Sequence, residues 1–247
     1  RDRMSTRDRL YTAGASEAQD FVFDERVVRV FPDMINRSVP GYGMIVPMAG
    51  LLARRYARDN STLYDLGCSL GAVALAMSQA VRASNARIIA VDNSPAMIAR
   101  LRETLGAADR DGLIPVQPVC EDLQGVPIEN ASVVALNFTL QFVEPASRLP
   151  LLRRIAAGLL PGGILILSEK IRFDAPREQS LHTEWHHDFK RAQGYSDLEI
   201  SRKRDALENV MQPDSEPRHR ERLLEAGFSE VYPWFQAFNF LSLVAFR

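Results

Sequence analysis

Between residues 62 and 168, short apolar runs alternate with segments whose apolar positions recur at helical spacing. The runs at 62–66, 87–91, 114–119, 132–138 and 163–168 predict strands, and the segments at 71–83, 95–106 and 147–160 predict helices. Such βαβ alternation implies a parallel sheet with helices on both faces. Leu159-Leu160-Pro161-Gly162-Gly163 closes the last of these helices with a proline–glycine stop. Upstream, 5–22 reads as a poorly patterned arm. Residues 24–56 read as helices interrupted at Pro32 and at Pro40-Gly41-Tyr42-Gly43. Downstream the alternation breaks: 171–212 holds two helical stretches with no strand between them, and a helix near 216–226 ends at Gly227. The last two runs, 228–236 and 238–246, are joined so tightly that they must pair antiparallel. The expected organisation is a single domain. It comprises an arm and helical lid (1–56), an α/β core (57–170), an inserted helical segment (171–214), and a helix with a β-hairpin completing the core (215–247).

The first two strands carry the chemistry. Leu63-Tyr64-Asp65-Leu66-Gly67-Cys68-Ser69-Leu70-Gly71 runs from a strand into a glycine turn, and Ile88-Ile89-Ala90-Val91-Asp92-Asn93 ends the next strand in an acid, 21 residues after Gly71. Glycines there let the backbone approach a ligand, and an acid at that strand tip accepts both hydroxyls of a ribose. Gly67 and Gly71 are separated by Cys68-Ser69-Leu70, so this is not the dinucleotide fingerprint G-x-G-x-x-G. It looks like the (D/E)-x-G-x-G-x-G turn of S-adenosylmethionine (SAM)-dependent enzymes, with Ser69 at the middle glycine position. A parallel sheet closed by an antiparallel C-terminal hairpin is the SAM-methyltransferase version of the Rossmann fold and not the NAD version. The expected class is therefore α/β: a Rossmann-like class I SAM-methyltransferase fold with a mostly parallel, seven-stranded sheet.

Composition narrows the partners. The chain has 247 residues with 30 basic and 31 acidic side chains, a net charge of −1. Phosphate binding favours a basic excess. The clusters Arg153-Arg154, Arg202-Lys203-Arg204 and Arg218-His219-Arg220 are interleaved with acids. No direct nucleic-acid partner is expected. No run reaches the ~18 apolar residues of a membrane helix, so no membrane partner is expected either. No apolar stretch follows Arg1-Asp2-Arg3-Met4-Ser5-Thr6-Arg7, where Met4 is a candidate start, and secretion is not expected. Cys68 and Cys120 fit a reducing, cytoplasmic setting, each as a small apolar filler in preference to a reactive thiol.

More specific strings extend along the chain. They include Phe23-Asp24-Glu25-Arg26-Val27, Val30-Phe31-Pro32-Asp33-Met34-Ile35, Arg37-Ser38-Val39-Pro40-Gly41-Tyr42 and Val91-Asp92-Asn93-Ser94-Pro95-Ala96-Met97-Ile98. Others are the run from Ser132 through Asn137-Phe138-Thr139 to Phe142, His186-His187-Asp188-Phe189-Lys190-Arg191-Ala192, Glu199-Ile200-Ser201-Arg202-Lys203-Arg204, and Leu207-Glu208-Asn209-Val210-Met211. Together, from about residue 21 onward, they resemble the bacterial carboxy-S-adenosyl-L-methionine synthases of wobble-uridine tRNA modification. The resemblance implies that SAM and prephenate are converted to carboxy-SAM and phenylpyruvate. Prephenate loses carbon dioxide and hydroxide, and a sulfonium ylide of SAM captures the carbon dioxide. It also implies a homodimer, no metal, and a downstream tRNA carboxymethyltransferase that uses the product.

Site roles follow from the two together. Asp92 is the expected acceptor for the ribose hydroxyls, with Asn93 beside the adenine. Gly67, Cys68 and Ser69 present backbone groups to the amino-acid part. Asp122 would accept from the adenine amino group and the Leu123 N–H face the ring, although Asp122 also reads as a solvated loop acid with Glu121 as a confusable neighbour. Asn137 ends the fourth strand, where open α/β sheets bind ligands, and asparagine is disfavoured inside strands. The family uses this position for SAM, and Asn137-Phe138-Thr139 is not the Asn-Pro-Pro-Tyr string of amino-group methyltransferases. Tyr42 carries over as a lid contact, with an ordinary turn tyrosine as the alternative.

If 197–211 is helical, Ile200, Arg204, Leu207 and Met211 share a face, while Arg202 and Asp205 point elsewhere. A cation in an apolar stripe needs a partner, and the family uses Arg204 to grip the added carboxylate of carboxy-SAM. Snorkelling or an internal ion pair is the alternative. His182 and His186 have i, i+4 spacing, but Thr183-Glu184-Trp185 between them does not make a zinc helix motif. No residues are assigned to prephenate or to a base. The residues also admit a small-molecule SAM-dependent methyltransferase, or a non-catalytic SAM-binding partner of a tRNA-modifying enzyme.

Overall fold

The apolar runs become β1 (Thr62–Leu66), β2 (Arg87–Asp92), β3 (Val116–Cys120), β4 (Ala131–Asn137) and β5 (Leu159–Lys170), in a computed structural model that describes residues 23–207 and 210–247. These five pair in parallel, and β6 (Glu230–Ala237) with β7 (Phe240–Phe246) adds antiparallel along β5. The seven-stranded order is β3-β2-β1-β4-β5-β7-β6. The helices are α1 (Glu25–Ser38), α2 (Tyr42–Tyr56), α3 (Ala72–Ala80), α4 (Pro95–Ala107), α5 (Pro145–Gly158), α6 (Pro176–Ala192), α7 (Asp197–Leu207) and α8 (Glu216–Ala226). The arm expected over 5–22 lies outside the described residues.

Side chains alternate along each strand, so a sheet covered on both faces needs apolar residues at both parities. In β4, Val133 and Ala135 pack with Ala49 and Ala53 of α2 and Val73 and Met77 of α3. Val134 and Leu136 pack with Leu151, Leu152 and Ile155 of α5 and Leu223 of α8. Burying each such large side chain stabilises the fold by about 1.5–3 kcal/mol.

Two differences from the sequence reading have a cause in the packing. Helix α1 is not interrupted at Pro32 but runs through it to Ser38. An interior proline costs about 3 kcal/mol. Here that cost is offset by a buried face of Val27, Phe31 and Met34 and by the Asp24 cap, which accepts from Arg26 N at 2.9 Å and Val27 N at 3.2 Å. Helix α5 stops at Gly158, before the proline–glycine stop, and Leu159 already pairs with Ala131 in the sheet. A Cβ at Gly158 would lie 2.1 Å from the Ile128 carbonyl oxygen, so the chain turns into β5 against that loop.

Strand order reverses between β1 and β4, and their carboxyl ends flank the crevice where open α/β sheets bind ligands. Helices α1, α6 and α7 lie over that end. Val27, Phe31 and Met34 of α1 pack with Met97 of α4 and Ala206 of α7. Arg37 stacks over the Tyr195 ring at 3.9 Å and donates to the Gln193 carbonyl at 2.9 Å, fastening α1 to the α6–α7 turn. The return to α8 is held by buried Arg148, which donates to Asp214 at 2.8 Å and to the Gln212 carbonyl at 2.8 Å.

Candidate active site

The glycine turn after β1 is shaped by close approach. Gly67 has φ +74, and a Cβ there would fall 2.3 Å from Thr139 Oγ1, so only glycine fits without displacing the turn after β4. Ser69 adopts φ +50 without being glycine. Its backbone N–H donates to Asp92 Oδ2 at 2.9 Å, which holds the strained turn open. The other oxygen of Asp92 accepts from Ser94 N at 2.9 Å, and Ser94 caps α4 through Met97 N. Asp92 thus ties two ligand-facing loops together and keeps lone pairs for further donors. Burial raises its pKa, and the Ser94 and Ser69 N–H bonds work against that rise.

Two cavities meet at this turn. One is lined by Asp92, Asn93, Asp122 and Leu123. The other is lined by Tyr42, Cys68 and Asn137 and reaches under the lid helices. Gly67, Ser69, Phe23, Phe138 and Phe142 line both. A ligand with its nucleoside in the first therefore has its other end in the second. Asp122 is exposed, and its Oδ1 accepts from Gln124 N at 2.9 Å in a local turn. Burial pushes the Tyr42 hydroxyl up to about 12 and raises the Cys68 thiol, so both stay protonated at neutral pH. Cys120 is exposed and lines neither cavity.

Arg204 is placed differently from the sequence reading. It is exposed on α7 and lines neither cavity, whereas Ile200, Lys203 and Ala206 are buried. Positions i+3 and i+4 lie on the same helical stripe, so periodicity from Ile200 admits either Lys203 or Arg204. Packing of α7 on α1 selects Lys203, whose ammonium donates to Ser38 Oγ at 2.7 Å. His182 stacks on Phe173 with ring centroids 4.0 Å apart, while His186 turns inward to the second cavity.

Several cavity residues were given no role at this site from sequence. Asp65 is the acidic side chain among the described residues lining the second cavity. Its Oδ2 accepts from Ala74 N at 2.9 Å at the start of α3, and burial pushes its pKa up to about 7. An acid inside the apolar run Leu63-Tyr64-Asp65-Leu66 is the signal that identifies it. Lys170, His186, Lys190 and Lys203 bring basic groups from β5, α6 and α7 to the same cavity. His186 Nε2 lies 2.7 Å from the Ser38 carbonyl, which can only accept, so that nitrogen carries the proton. Burial, then Lys190 and Lys170, hold His186 well below its ordinary pKa, and the ring is neutral. Gln141 Oε1 accepts from Lys170 N at 2.8 Å, fixing the end of β5 beside Asn137.

The chain matches the methyltransferase domain model over residues 63–163. It is 62% identical to carboxy-S-adenosyl-L-methionine synthase of Geobacter sp. (strain M21), covering 97% of this chain and 98% of that protein. It is 63% identical to the Trichlorobacter lovleyi protein of the same name over 97% of this chain and 98% of the relative. The Pseudomonas syringae pv. syringae synthase is 58% identical over 96% and 97%. Among solved structures, an O-methyltransferase family protein from Burkholderia thailandensis superposes with TM-score 0.67 at 18% identity, covering 91% of this chain and 60% of that one. Human N-acetylserotonin methyltransferase in complex with SAM gives 0.61 at 17%, over 90% and 55%. The latter two establish the class I methyltransferase fold.

Proposed function

Because this chain belongs to the carboxy-S-adenosyl-L-methionine synthase family of SAM-dependent transferases, we propose that it moves carbon dioxide from prephenate to the methyl carbon of SAM. Prephenate breaks its bond to the ring carboxylate and expels the ring hydroxyl, leaving phenylpyruvate. One methyl proton leaves SAM as the new carbon–carbon bond forms, and proton and hydroxide depart as water. The observation that carries this reading is the second cavity. It continues from the nucleoside cavity past Gly67 and Ser69, it is basic, and Phe31, Phe138 and Phe240 line it. Aromatic walls suit a ring that becomes a phenyl group.

In this reading Asp92 and Asn93 hold the ribose and its base edge, and Asp122 and Leu123 flank the adenine. Gly67, Cys68, Ser69, Asn137 and Tyr42 surround the amino-acid part. Asp65 receives the ammonium. The product serves a downstream tRNA carboxymethyltransferase at the wobble uridine, and the enzyme works as a cytoplasmic homodimer. This wider setting is supported by the chain's resemblance to the family.

The balanced charge of −1 supports a first reaction in which RNA takes no part. Purified enzyme given SAM and prephenate is expected to form carboxy-SAM and phenylpyruvate in equal amounts, at the same rate with or without tRNA. Chromatography with mass detection measures both products. A strict tRNA requirement, or methyl transfer to another acceptor with prephenate untouched, would overturn the reading.

A further inference from the structure

Three ammonium groups converge on the second cavity from separate elements: Lys170 at the end of β5, Lys190 on α6 and Lys203 on α7. Lys190 and Lys203 are only 6% and 4% exposed. Lysine is almost never this buried without a counter-charge, and the described lining supplies a single acid, Asp65. Glu169, next to Lys170 in sequence, does not serve as counter-ion. Strand alternation turns it to the opposite face, where its Oε2 accepts from Gln141 N at 3.2 Å and its charged neighbours are Arg148, Asp214 and Arg222.

The three lysines are not equivalent. Lys203 donates to Ser38 Oγ and lies 5.0 Å from the Tyr195 ring centroid. The ammoniums of Lys170 and Lys190 make no hydrogen bond or ion pair with other described residues. Lys190 sits one helical turn beyond neutral His186, on the same face of α6. We propose that Lys170 and Lys190 form an anion site for the carboxylates of the carboxyl donor, a dicarboxylate held beside the SAM methyl group.

SAM brings one carboxylate and prephenate two, against three lysines; Asp65 faces the ammonium of SAM, and the sulfonium adds one more positive charge for the dicarboxylate to answer. Without the donor the cluster is electrostatically frustrated. Burial pulls Lys190 down to about 7, with Lys170 and Lys203 adding repulsion, and burial pulls Lys170 down to about 8. A dicarboxylate relieves both effects, so the site discriminates against monoanions of the same shape. The inference deepens the proposed reaction and rests on it for the identity of the donor.

The test uses Lys170→Met, Lys190→Met and Lys190→Arg in the full chain. Prephenate binding is measured by calorimetry to enzyme loaded with S-adenosylhomocysteine, which has no methyl group to react, and KM is measured separately with SAM. Each methionine variant is expected to weaken prephenate at least about 30-fold, the scale for removing one partner of a desolvated charge pair. SAM affinity, which also reports folding, should stay within about threefold, and Lys190→Arg should recover part of the loss. Unchanged prephenate affinity in both methionine variants, or equal losses for SAM and prephenate, overturns the site. If the wild type binds prephenate through these lysines but forms no product, the site stands and the proposed chemistry falls. Failure of the loaded wild type to bind prephenate overturns both.

Discussion

Replacing Asp92 with alanine is expected to weaken SAM binding roughly 30- to 1,000-fold, a loss of about 2–4 kcal/mol. Two effects combine. The ribose hydroxyls lose the charged acceptor proposed for them, and the N–H groups of Ser69 and Ser94 lose the oxygens that hold them at 2.9 Å. Ser69 at φ +50 then has less to keep it in a left-handed conformation. Asp92→Asn separates the effects, since it keeps one acceptor and the side-chain shape while removing the charge, and it should fall between alanine and wild type. Calorimetry on folded variants decides the matter. Near-normal SAM affinity in the alanine variant would remove Asp92 from the binding site.

A loss of similar size is expected at Asp65, with a pH signature. Asp65→Asn preserves the acceptor for Ala74 N, 2.9 Å away, and removes the negative charge facing the cavity. A hydrogen bond to a charged group contributes about 1.5–3 kcal/mol, so SAM should bind about 10- to 150-fold more weakly. In free enzyme burial pushes Asp65 up to about 7, so below that pH the carboxyl is mostly protonated. Binding an ammonium requires the carboxylate, so a proton must leave. SAM affinity should therefore fall about tenfold per pH unit as pH drops below 7 and level off above it. In Asp65→Asn that slope should vanish. Titrations between pH 5.5 and 7 measure it, and the same slope in both proteins would assign the proton to another group.

The parts of the site that were legible in sequence are those written contiguously. The Gly67–Gly71 turn and Asp92 belong to adjacent βα units, and the topology of a parallel sheet brings their ends together whatever the rest of the chain does. Asn137 was legible for the same reason, as a polar residue at a strand's carboxyl end. The lysine cluster was not. Lys170, Lys190 and Lys203 come from three elements, and nothing local distinguishes them from solvated lysines until the lid folds over the sheet. The α7 register illustrates the limit: stepping from Ile200 by three or by four residues keeps to one stripe, and the choice of Lys203 over Arg204 is made by Ser38 on another helix. Pro32 and Gly158 follow the same logic. In α1 tertiary burial outweighed a local helix breaker, and at Gly158 the approach of Ile128 ended a helix before its local stop signal.

In the proposed reaction the carboxyl group added to SAM comes from prephenate within this active site. The direct measurement is a single-turnover reaction with prephenate carrying ¹³C only in its ring carboxylate, run in buffer equilibrated with unlabelled bicarbonate. The product is expected to be heavier than SAM by one carbon dioxide, with the label in that carboxylate. Fragmentation should place it on the former methyl carbon, with unlabelled phenylpyruvate formed in equal amount. A product that gains unlabelled carbon dioxide, or SAM returned unchanged while prephenate decarboxylates, would contradict it.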